Sequence, residues 1–209
     1  MDERAVIELR RLADLDAVLS AGAARLRQLD GEVGSLRARA EAIDAFSEAY
    51  PDEEARRGRE RREAEEELER RRGELAEAER MLAEADEEAH AHAEQVVARA
   101  IDHVAVAESR LARGESAYAA LERDAAALPR ELDELEGRAR AVPDVPPPGR
   151  SLVEWAAHAH AELFVAAGQI AAQRESVIRE ANELASMLLG EPTYGSTVTQ
   201  ALTRVEAAH

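Results

Sequence analysis

Two copies of one hexapeptide, Ala-His-Ala-His-Ala-Glu, occur at residues 89–94 and 157–162. They bring together the side chains best suited to hold a metal or move a proton. A metal needs several donors converging on one point. Histidines two apart on a helix point about 200° apart, so neither His90 with His92 nor His158 with His160 chelates one ion. Glu87 and His90 have the Glu-x-x-His spacing of a di-iron carboxylate bundle. That site needs a second such pair and two further glutamates around one core, and the helix assignment below puts Glu87 and His90 far from His158. The expected use is ion pairing at i,i+4, His90 with Glu94 and His158 with Glu162. No metal site is expected.

Other chemistries are narrowed by composition. All 27 basic residues are Arg, with no Lys and no Cys. A Schiff-base lysine, a P-loop lysine, thiolate catalysis, disulfides and Cys-based zinc sites are therefore excluded. The chain has no nucleophile elbow, glycine-rich dinucleotide turn or His-Glu-x-x-His motif. Its 44 acidic residues offer many carboxylate pairs, but a catalytic carboxylate needs a desolvating pocket, and nothing in the pattern builds one. No enzyme and no cofactor are expected.

The formal charge of −17 repels phosphate backbones and anionic lipid, so nucleic acid is not an expected partner. The N-terminal residues are too charged for a signal peptide, and no run of about 18 apolar residues exists to span a membrane. A cytoplasmic location is the default expectation.

The elements that must position these residues are helices. The 45% hydrophobic fraction is mostly Ala, aromatic residues are 3%, and 34% of residues are charged, as in long helices with narrow seams. A 3-4 alternation runs unbroken through Val97, Ala100, Val104, Ala107, Leu111, Gly114, Tyr118, Leu121, Ala125, Leu128, Leu132 and Leu135. It marks a helix whose seam faces another helix. A first helix is expected over residues 3–48, with Leu12, Leu15, Leu19, Gly22, Leu26, Leu29, Val33 and Leu36 in its core. Pro51 suggests a tight turn at residues 46–52, with Phe46 and Tyr50 as a candidate docking tip and Asp52 capping a long second helix. Folding about that turn pairs Leu19 with Leu82 and Gly22 with Ala78. The run at 53–74 is nearly all charge and reads as a solvated helix laced by pairs such as Glu53/Arg57, Glu66/Arg70 and Glu67/Arg71. Between Ala89 and Val97 the seam slips by one residue, which on a continuous helix turns it by about 100°. Pro129 should kink the second helix or restart it. The proline-rich segment 142–150 is a stiff linker. Ser151 with Glu154 starts a helix over 152–189, Gly190 stops it, and Thr197 with Gln200 caps a short last helix. Folding about the linker pairs Leu128 with Leu163 and Gly114 with Val177.

The expected fold is all-α: elongated antiparallel hairpins, or coiled coil, on one long central helix at about 52–140. Residues 1–96 form an N-terminal hairpin, 97–190 a C-terminal hairpin, and 191–209 a tail with a short helix. The expected function is a non-catalytic coiled-coil scaffold, spacer or protein-interaction protein. Long acidic hairpins are loosely similar to membrane-coat proteins of the phage-shock and ESCRT-III kind in their length alone. That resemblance implies the alternative of a membrane-associated polymerising coat. A helical-bundle metal protein is a remote third. The third helix carries a second apolar row at Ala157, Phe164, Ala171, Ile178 and Ala185. Either a second copy or the short last helix could bury it; the expectation is a homodimer through Phe164 and Ile178, and the alternative is a monomer that buries the row itself. The tail is expected at mid-rod beside Val6, Ile7, Leu9, Val96, Ile101 and Leu189.

Overall fold

The computed structural model describes residues 3–143, 145–149 and 151–208. Among these residues the chain is all-α, with helices α1 (Glu3–Glu84), α2 (His90–Arg140), α3 (Leu152–Leu189) and α4 (Val198–Ala207).

The main correction is at Pro51. The turn expected at 46–52 is absent, and α1 runs through the proline. The seam shows why. Ile43, Ala64 and Leu68 are buried, and Phe46, Tyr50, Arg57 and Arg61 between them are half-buried, so the phase never breaks. Pro51 itself is exposed. The proline removes one backbone donor from the helix without ending it. The chain turns instead at residues 85–89. There Asp86 Oδ1 accepts the Ala89 N–H at 3.0 Å, and the Asp86 carbonyl accepts the His90 N–H at 3.0 Å. The one-residue slip in the seam between Ala89 and Val97 is the mark of this turn. The longest helix is therefore residues 3–84, not 52–140, and the helix partners change accordingly.

The chain divides into two compact units, Ala42–Asp133 on one side and Met1–Glu41 with Glu134–His209 on the other. The first of these is an antiparallel pair made by the later part of α1 and most of α2. The α2 ladder is its seam, with Ala93, Ala100 and Ala107 buried and Val97, Val104, Leu111, Gly114, Tyr118 and Leu121 half-buried. Half-burial is what two helices alone provide, because water reaches both edges of the seam. Gly114, expected against Val177, meets α1: a Cβ there would lie 3.9 Å from Arg61 Cα. The Arg61 guanidinium sits 5.0 Å above the Tyr118 ring, a cation–π contact. Arg72 bonds Glu108 at 3.3 Å. α2 continues through the exposed Pro129. On the charged surface, Glu53 pairs with Arg57 at 2.8 Å and Glu67 with Arg71 at 2.7 Å, as expected. Arg70 pairs with Glu67.

In the other unit, the start of α1 packs antiparallel to α3. Arg174 Nε donates to Asp16 Oδ1 at 2.6 Å, His160 Nδ1 lies 2.5 Å from Asp30 Oδ1, and a Cβ on Gly22 would stand 3.2 Å from Ile170 Cδ1. Gly22 thus admits a close neighbour, though Ile170 rather than Ala78. Leu19, expected opposite Leu82, packs against the core of Leu9, Leu12, Val177, Ala181, Ala185, Val198, Ala201 and Val205. α3 keeps its expected bounds. Ser151 Oγ accepts the Glu154 N–H, and Gly190 closes the helix at φ 70°, with its N–H on the Ser186 carbonyl. α4 carries the Thr197–Gln200 capping box. It packs between the start of α1 and the end of α3, and Arg10 pairs with Glu206 at 2.9 Å. Of the side chains expected at the tail, Val6, Leu9 and Leu189 belong to this core, whereas Ile7 and Ile101 are exposed. The loop into α4 is fixed by Thr193, whose Oγ1 donates to the Asn182 carbonyl at 2.7 Å. Asn182 Nδ2 donates in turn to the Ser196 carbonyl at 2.9 Å.

Candidate interaction surface

α3 has two unlike faces. Its inner positions, among them Ala156, Ala159, Leu163, Val177 and Ala181, are buried. Its outer positions Ala157, Ala161, Phe164, Val165, Gly168, Ala171 and Ala172 are all exposed, Phe164 at 75% and Val165 at 59%. This row carries no charge over about four turns, with His158 and Glu162 along its flank beside Val165, in a chain where 34% of residues are charged. Charge returns at its ends, with exposed Glu154 before it and Glu175 and Arg179 after it.

The expected row from Ala157 to Ala185 is split. Ala185 is fully buried, and Ile178 packs half-buried against the core that α4 completes. Ile178 is therefore partly engaged within the chain. Phe164 remains exposed. The short helix covers the C-terminal part of the row because the chain turns back at Gly190, and its Val198, Ala201 and Val205 lie at helical spacing.

Phe46 and Tyr50 do not form an exposed tip. They lie within α1, half-buried, with ring centroids 6.1 Å apart. Partial burial, then the Glu54 carboxylate, push the Tyr50 phenol up.

The histidines behave as surface groups. His90 lies 3.6 Å from Glu94 and His158 3.3 Å from Glu162. Among the described residues no group of three or more His, Asp or Glu side chains is placed to hold a metal ion, and no helix is long and apolar enough to cross a membrane. A cleft of about 350 Å³ lies between Pro146, Pro147 and Gly149 and the first turns of α3, where Glu154, Trp155 and His158 line it. Trp155 closes its floor by donating its indole N–H to the Pro146 carbonyl at 2.7 Å.

The contacts between distant parts of the chain escaped the sequence reading, among them Asp16 with Arg174, Asp30 with His160, Arg72 with Glu108 and Arg10 with Glu206. The signal for the first was present. Arg174 sits in the apolar row of α3, and Asp16 falls in phase between Leu12 and Leu19. Opposite charges at core positions of two helices are best satisfied by each other.

A scan against protein-family models and searches of curated proteins and of solved structures find nothing that matches this chain.

Proposed function

We propose that this chain is a non-catalytic helical scaffold or spacer that binds protein through the outer face of α3. The observation that carries this reading is Phe164 with Val165, exposed at the centre of an uncharged row on an otherwise highly charged chain. Such a face in contact with water favours association. Its centre has an aromatic anchor and its ends are charged, the anatomy of a protein interface with an apolar core and a polar rim. Several side chains suited to chemistry lie in pairs: His90 with Glu94, His158 with Glu162, His160 with Asp30, and Arg174 with Asp16. The net charge of −17 disfavours anionic partners such as nucleic acid.

The test compares retention of proteins from the native cell on immobilised parent and on Phe164→Glu. Proteins held by the parent should be lost from the variant, while its circular dichroism stays unchanged. An identical retained set would refute the assignment of this face.

A further inference from the structure

Resting on that reading, the pattern along the face also identifies its occupant. We propose that a second copy of this chain binds there, the two α3 helices running antiparallel about a twofold axis, with Phe164 of each copy seated on Gly168 of the other.

Three observations support this arrangement. The order Ala161, Phe164, Gly168, Ala171 complements itself when reversed, because Phe164 then faces Gly168 and Ala161 faces Ala171. The hole is open, since a Cβ on Gly168 would meet nothing within 4 Å. A parallel pair would instead oppose Phe164 to Phe164 and glycine to glycine. The charges agree with the same direction. Glu154 lies ten residues before Phe164 and Arg179 lies eleven after Gly168, both exposed on the outer side. Antiparallel pairing brings Glu154 of one copy beside Arg179 of the other at both ends, whereas parallel pairing sets Glu154 against Glu154. Arg179 donates to Ser176 Oγ on its own helix over a long 3.4 Å. Finally, the face continues an interface that the fold already uses. α4 covers the row at Ile178 and Ala185, and a second α3 would extend the same covering layer over Ala171, Phe164 and Ala157. The result is an isologous contact, the commonest way identical chains pair.

Sedimentation equilibrium of the full chain tests this. The parent should be a dimer with a dissociation constant on the order of micromolar. Phe164→Glu should weaken it by about thirtyfold or more, as expected for an anchor at the centre of an interface. Gly168→Leu should also abolish the dimer by filling the hole, while raising the melting temperature of the monomer, because Leu favours helix over Gly. That opposite response separates a lost interface from a lost fold. Glu154→Arg and Arg179→Glu should each weaken the dimer several-fold at low salt, and the double variant should restore it. A parent that stays monomeric at about 100 μM would overturn the proposal, as would a dimer indifferent to Gly168→Leu or a double reversal no better than the single ones. If the purified parent is monomeric but Phe164→Glu still loses proteins captured from the cell, self-pairing fails and the protein-binding face stands. If capture is also unaffected, both fail.

Discussion

Removing Arg174 should be more damaging than removing the residue it pairs with. Asp16 is buried, its side chain 11% exposed, while the Arg174 side chain is 42% exposed and donates to it at 2.6 Å. Arg174→Ala leaves a carboxylate on the α1–α3 seam with neither its donor nor full access to water. Breaking a wholly buried pair costs about 3–5 kcal/mol, and a hydrogen bond to a charged group is worth about 1.5–3 kcal/mol. With Arg174 partly in water the lower range applies, so about 2 kcal/mol is expected. Asp16→Ala should cost about 1 kcal/mol or less, since the guanidinium can swing its head into solvent while its stem stays packed. Asp16→Leu with Arg174→Leu replaces the pair by apolar contact and should lie within about 1 kcal/mol of the parent. The assay is urea unfolding followed by tryptophan fluorescence. The only Trp in the chain, Trp155, is buried in the same compact unit, so its signal reports the unit that holds the pair. Equal costs for the two single variants, or a double Leu variant worse than Arg174→Ala, would refute this account of the seam.

Pro51→Ala should stabilise the chain, by up to about 3 kcal/mol, because a proline inside a helix removes one hydrogen bond and crowds the preceding turn; a fall in the melting temperature would mean that the proline serves a turn after all. Arg61→Cys with Gly114→Cys should form an intramolecular disulfide on oxidation, since Gly114 lies against the Arg61 backbone and the chain has no other Cys; non-reducing electrophoresis reads it, and a pair that stays reduced would reject the α1–α2 register. Glu53 is held below its ordinary value of 4.5, first by hydrogen bonds from Arg56 and then from Arg57. A depressed folded pKa contributes stability above the ordinary value and loses it as pH falls through the folded one. The melting temperature of Glu53→Gln should therefore trail the parent slightly at pH 7 and converge with it below pH 4.5, and a gap that widens in acid would contradict the sign.

Much of this architecture was legible in the residues, but the place where the chain reverses was not. The ladder from Val97 to Leu135 names the seam of α2, whose positions are all buried or half-buried, because a 3-4 pattern depends only on helix geometry. The caps at Ser151, Thr197 and Gly190 were legible because their side chains, or the lack of one, satisfy helix-end groups locally. Pro51 misled because a local breaking tendency was set above the phase of the seam. The 3-4 spacing of the seam through Phe46, Tyr50, Arg57 and Arg61 carries the helix from Ile43 to Ala64. Arg57 and Arg61 hide that continuity, since a charged residue at a seam position reads as surface until its partner, here the ring of Tyr118, is known. The real turn at 85–89 contains neither Gly nor Pro, and its one side-chain signal is Asp86, which takes the Ala89 N–H. For the outer face of α3, the apolar row was visible. How much of it α4 would cover was not, because that depends on where Gly190 turns the chain back.

The order of partners along α1 also sets an order in time. Arg72 finds Glu108 only 36 residues later, whereas Asp16 must wait for Arg174, 158 residues away. Closing the longer loop costs about 1.3 kcal/mol more in chain entropy, and at synthesis rates of about 5–20 residues per second its second strand emerges several seconds after the first. The later part of α1 can thus clasp α2 while α3 is still being made. Its earlier part meanwhile emerges as a half-seam with no mate, with Leu9, Leu12, Val33 and Leu36 facing water. Pulsed hydrogen exchange during refolding should protect the amides around Ala107 before those around Ala181; the reverse order would show that the long-range clasp, not the short one, nucleates the molecule.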